Sequence, residues 1–102
     1  MDRPQLESAV IRYNVAEGRL EARVAGQIAY AEYRLQPGTI TFTHTRVPET
    51  FGGRGIGTQL IEAGLSMARD RGLKLIAQCP FFAAYIQTHP DTQDLLATPL
   101  RP

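Results

Sequence analysis

Among the side chains in this sequence with the chemistry to move a proton or carry an acyl group are His44, Cys79 and Tyr85. A neutral imidazole can take a proton from an attacking amine, and a phenol can return one to a leaving group. A cysteine thiolate can attack an acyl carbon. Strict alternation over residues 39–47 places Ile40, Phe42 and His44 on one face, opposite Thr41, Thr43 and Thr45. Along residues 73–79 the same rule groups Leu73, Leu75, Ala77 and Cys79. Each residue also has a packing role open to it. A histidine on an apolar face is commonly a satisfied core residue, a cysteine a small hydrophobe, and Tyr85 a neighbour of Phe81 and Phe82. His89-Pro90 reads as a helix stop, and neither metal-ligand spacing nor a Ser-His-Asp assembly is legible.

The second chemical feature is a glycine-rich turn, Phe51-Gly52-Gly53-Arg54-Gly55-Ile56-Gly57-Thr58, between a strand pattern and a helix pattern. No Ser, Asp or Asn stands immediately before the first helical turn, and Thr50 serves as a cap only if the helix begins very early. The leading N–H groups therefore need another acceptor. Glycines let a ligand reach the backbone, and Arg54 adds positive charge, so the turn suits a phosphate oxygen. Two nucleotide motifs fail here. Gly52 and Gly57 have Walker A spacing, but Thr58-Gln59 replaces the lysine and hydroxyl. A dinucleotide fingerprint built on Gly53 and Gly55 would need glycine where Thr58 stands.

The elements that must position these groups follow from periodicity. Residues 9–15, 20–24, 27–35 and 39–47 read as strands separated by Glu17-Gly18, Gly26 and Gln36-Pro37-Gly38, with Pro48 ending the last. Short turns make them an antiparallel meander. Ile56, Leu60, Ile61, Gly64, Met67 and Ala68 then share a helical face; Arg69 and Arg71 suit its C-terminal dipole and Gly72 stops it. Residues 73–77 form a short buried parallel strand, closing a βαβ unit. Pro80 opens a second helix to about residue 88, and 91–96 adds one more turn. The fold class is α/β in the α+β sense. His44 and Cys79 fall toward the carboxyl ends of two parallel neighbours, where open α/β sheets hold ligands.

The totals bound the rest. With 102 residues the chain is expected to be one domain, 1–102. Hydrophobic residues at 43% and charged ones at 21% are ordinary for a globular protein. The formal charge is +1 with scattered basic residues, so neither nucleic acid nor a membrane is an expected partner. A single cysteine excludes an internal disulfide, and no secretory signal or apolar stretch near ~20 residues is legible. A cytoplasmic location is expected.

Gly-Arg-Gly-Ile-Gly followed by Leu-Ile-Glu-Ala resembles the acetyl-CoA signature of GCN5-related N-acetyltransferases, Arg/Gln-x-x-Gly-x-Gly/Ala. The order meander, βαβ, helix is similar to that family over nearly the whole chain. Cys79-Pro80-Phe81 through Tyr85 and His89-Pro90 resembles its short, stand-alone branch. The resemblance implies that acetyl-CoA (coenzyme A) enters between the splayed ends of the two parallel strands. Gly52, Gly53, Arg54, Gly55, Ile56, Gly57 and Thr58 would hold its pyrophosphate, and the Val47 backbone its pantetheine amide. His44 would then be base or thiol activator, Cys79 nucleophile or pocket lining, and Tyr85 the acid toward the thiolate. Gly52 departs from the motif, which carries Arg or Gln there. The implied reaction is acetyl transfer to an amine on a small molecule or protein. Two rivals are a coenzyme A-binding protein with little or no transferase activity and a strand-pairing module, for which the uncapped glycine turn has no use.

Overall fold

Alternating apolar and polar residues build four antiparallel strands, β1 (Val10–Asn14), β2 (Arg19–Val24), β3 (Gln27–Gln36) and β4 (Thr39–Arg46). This computed structural model describes residues 10–24, 26–49 and 55–97. Helix α1 (Ile56–Asp70) then leads to β5 (Lys74–Ala77), which pairs with β4 in parallel. Helix α2 (Pro80–Gln87) and a 3-10 turn (Pro90–Leu95) follow. The five strands lie side by side in chain order, so the meander and the βαβ unit form one sheet. No helix among the described residues is long and apolar enough to cross a membrane.

The strand register decides which face is covered. Leu20 opposes Ala31, Ala22 opposes Ala29, Tyr33 opposes Phe42 and Ile40 opposes Leu75, and all eight are buried. The buried side of α1, with Ile56, Leu60, Ile61, Leu65 and Ala68, joins the same core. Phe42 and Phe82 stack at 4.2 Å with rings 10° from parallel, which brings α2 onto that face too. Gly64 makes this close approach possible: a Cβ there would lie 2.8 Å from Phe42 and 3.2 Å from Phe82. Both rings are fully buried and have nowhere to swing. Overpacking of this kind costs about 1–3 kcal/mol, against about 1 kcal/mol gained by removing a helical glycine. Gly64→Ala should therefore lower stability by roughly 1 kcal/mol; a urea midpoint that rises would show the core yields more easily than this geometry implies.

Helix α1 stops as its sequence requires. Gly72 takes φ 66°, and the Leu73 N–H donates to the Ala68 carbonyl at 2.8 Å, the six-to-one bond of a left-handed helix end.

Strand β4 departs from simple alternation, and the departure matters for the site. Tyr33 pairs with Phe42, but Glu32 pairs with His44, leaving Thr43 as an extra residue in β4. Successive residues of β3 face opposite ways, so this bulge turns His44 to the face opposite Phe42. The Thr43 hydroxyl donates to the Glu32 carbonyl across the bulge at 3.4 Å. The expected common face of Ile40, Phe42 and His44 does not form. Thr45, opposite Ala31, takes the helix-covered face instead.

Candidate active site

The parallel ladder between β4 and β5 ends at Phe42 and Ala77. Beyond it, the Phe42 carbonyl accepts from both the Gln78 N–H (3.1 Å) and the Cys79 N–H (2.9 Å). One acceptor taking two donors marks the place where β5 leaves the sheet while β4 runs on to Arg46. Cys79 stands in that split. It is 4% exposed, and its Sγ lies 3.3 Å from the Thr45 hydroxyl. His44 lies on the other face with a side chain 75% exposed, its Nδ1 3.3 Å from a Glu32 carboxylate oxygen and 3.3 Å from the Thr43 hydroxyl. The structure thus brings the two residues to the same end of the sheet but on opposite faces. An open hollow of about 470 Å³ on the His44 side is lined by Glu17, Glu32, Arg34, Thr43, His44 and Gln78.

On the helix side, α1 begins at Gly55 in the left-handed region, φ 72° and ψ 17°, with no side chain capping it. The N–H groups of Ile56, Gly57 and Thr58 belong to that first turn, where the helix offers them no carbonyl. Ile56 is buried in the core, Gly57 is buried and Thr58 is exposed. A Cβ on Gly57 would lie 2.7 Å from the Phe81 ring and 3.5 Å from Val47 Cγ2. The end of β4, the start of α1 and the start of α2 therefore converge on Val47, Gly57 and Phe81. Gly52, Gly53 and Arg54 lie outside the described residues.

Tyr85 projects from α2 toward α1, where its hydroxyl donates to Glu62 Oε2 at 2.9 Å. Burial, and then the Glu62 carboxylate, push the phenol above its ordinary value. Its ring stacks on His89 at 3.8 Å. His89 Nδ1 lies 2.7 Å from the Tyr85 carbonyl, a helix-end contact that accords with a stop signal. Four residues escaped the sequence reading: Thr45 beside Cys79, Glu32 beside His44, Glu62 beside Tyr85, and Phe81 over Gly57. The first three are long-range partners with no local signal. Phe81, 43% exposed at a helix start, carried one.

A five-stranded sheet that splits beside an uncapped helix start defines an acetyltransferase fold. Consistent with it, a family profile for GCN5-related N-acetyl-transferases matches residues 7–95, and the chain belongs to that family. The solution NMR structure of a GCN5-like protein from Staphylococcus aureus matches with a TM-score of 0.72 and 26% identity, covering 94% of each chain. Protein NATD1 of Xenopus tropicalis is 33% identical over 57 residues, which is 56% of this chain and 52% of that protein's length. The chain thus spans about half of that curated relative.

Proposed function

We propose that this protein takes acetyl from acetyl-CoA and passes it to a primary amine by direct attack. The observation that carries this reading is the convergence of the β4–β5 split and the uncapped α1 start on Val47, Gly57 and Phe81. The amides of Ile56, Gly57 and Thr58 are donors for a pyrophosphate, continued by Gly52, Gly53 and Arg54. Val47 offers backbone pairing to the pantetheine arm. Acetyl-CoA supplies an activated thioester, whose C–S bond breaks as the C–N bond forms.

His44 takes the proton of the attacking amine, which arrives from the uncovered face through the hollow. Glu32, 3.3 Å from Nδ1, orients the imidazole. Tyr85 holds its proton more tightly than an ordinary phenol and donates it to Glu62, so its part is a hydrogen bond to the departing thiolate made by turning that single O–H away from the carboxylate. Cys79 lines the split: its thiol is buried against a hydroxyl, and the imidazole that would activate it lies on the other face. The expected compartment is the cytoplasm, where a lone thiol stays reduced.

Cys79→Ala should keep most of its turnover on a broad amine panel, and the wild-type chain should show no acetyl adduct by intact mass after mixing with acetyl-CoA. Loss of nearly all turnover together with an adduct on Cys79 would replace direct attack with a covalent route. Tight coenzyme A binding with no turnover on any amine would leave a coenzyme A-binding protein.

A further inference from the structure

The face of the sheet opposite the helices carries its own pattern of charge. Register places Arg12, Arg19, Arg23, Arg34 and Arg46 on it, with Glu21, Glu32, Tyr30 and His44. Five guanidiniums stand on these strands against two carboxylates, with Glu17 of the β1–β2 turn a third at the hollow, still a local excess in a chain whose total formal charge is +1. One carboxylate is already spent: Glu21 is 5% exposed and accepts from Arg19 at 2.7 Å and Asn14 at 2.9 Å. Arg12, Arg23, Arg34 and Arg46 are exposed, and none is ion-paired to another described residue. Helices α1 and α2 pack on the other face.

The geometry is that of a track. Arg12, Glu21, Tyr30 and Arg46 form one row across four strands, and Asn14, Arg19, Glu32 and His44 form the next. At about 4.8 Å between strands, Arg12 and Arg46 stand roughly 14 Å apart, the reach of about four or five extended residues. Glu32, the carboxylate of the track beside His44, has Arg34 and Arg46 two residues along β3 and β4, while Arg12 and Arg23 lie farther out on β1 and β2.

We propose that the acetyl acceptor is an amine within an acidic polypeptide segment that docks across this arginine-lined face. The inference rests on the amine entering at the His44 hollow, as argued above. An ammonium is drawn to Glu32, while carboxylates on either side meet guanidiniums, which bind them in bidentate fashion. Nucleic acid fits less well. The aromatic ring of the track, Tyr30, is covered by the Arg19 guanidinium at 4.6 Å and offers no free stacking surface. Glu32 also repels phosphate at the point of transfer.

The test is fluorescence anisotropy on the full chain with a labelled ten-residue peptide carrying one central lysine among glutamates. Its comparators are the same peptide with glutamines and a single-stranded oligonucleotide of equal charge. The acidic peptide should bind at least tenfold more tightly than the glutamine peptide, and less tightly as salt rises. The triple variant Arg12→Gln, Arg23→Gln, Arg46→Gln should lose about tenfold of that affinity while coenzyme A affinity stays within two-fold; Arg46→Gln alone should lose part. Equal binding of the two peptides, or tighter binding of the oligonucleotide, overturns the proposal. The two readings fail separately. Acetylation of small amines and both peptides alike would keep the transferase and overturn the docking face. Acid-selective binding without any acetylation would keep the face and overturn the transferase.

Discussion

His44→Ala is expected to lower kcat for acetyl transfer by roughly 10²–10³-fold while leaving coenzyme A affinity within two-fold. The side chain is 75% exposed and lies on the face away from the core, so its removal should cost little stability. It also lies away from Val47 and Gly57, the proposed coenzyme A contacts, so a binding defect is not the expected route by which activity falls. Glu32→Gln should produce a smaller loss, about tenfold, because it removes the group that orients the imidazole rather than the base itself. Added imidazole should restore part of the His44→Ala rate and none of the Glu32→Gln rate. Initial-velocity measurements with acetyl-CoA and amine varied separately give kcat and KM for each variant. Unchanged turnover in His44→Ala would remove the imidazole from the reaction and leave the amine to lose its proton to water.

Gly57→Val should weaken coenzyme A binding by more than tenfold, or ~1.4 kcal/mol, with the fold retained. Its Cβ would enter the space between Val47 and Phe81. Phe81 is 43% exposed and its ring can turn outward, so the substitution is absorbed there rather than in the core. Gly55 is a poorer place for the same test. A Cβ there meets nothing within 4 Å, but φ is 72°, a conformation that costs a β-branched residue of order 1–2 kcal/mol. Loss of binding in Gly55→Val would therefore mix a distorted helix start with a blocked ligand, whereas Gly57 is helical and separates the two. Titration calorimetry with coenzyme A, beside a thermal melt of each variant, reads both quantities. Full affinity in a folded Gly57→Val would move the pyrophosphate away from this turn.

Much of this architecture is local and legible in the sequence alone. Alternation in β2 and β3, the turns at Gly18 and Gly38, the helical face from Ile56 to Ala68 and the stop at Gly72 each depend on neighbours within a few residues. The absence of a capping side chain before α1 is likewise a property of adjacent residues, and the helix does begin uncapped at Gly55. Arg69 fits a dipole argument, yet its guanidinium also holds Asp94 in two bonds at 3.0 and 3.1 Å, which no spacing announces.

Only tertiary structure decided which faces the chemical groups take. Perfect alternation put His44 with Phe42; one extra residue at Thr43, specified by pairing with β3 rather than by β4's own composition, put it on the opposite face and sent Thr45 to Cys79. The pairings Glu32–His44 and Glu62–Tyr85 join residues 12 and 23 apart. They exist because strands in register and helices in contact bring them within hydrogen-bond distance. By itself the sequence determined the elements, their order and the residue types able to do chemistry, since those rest on short-range sterics and periodicity. Which of these residues meet, and from which side of the sheet, rested on one bulge and the closure of two helices over a glycine.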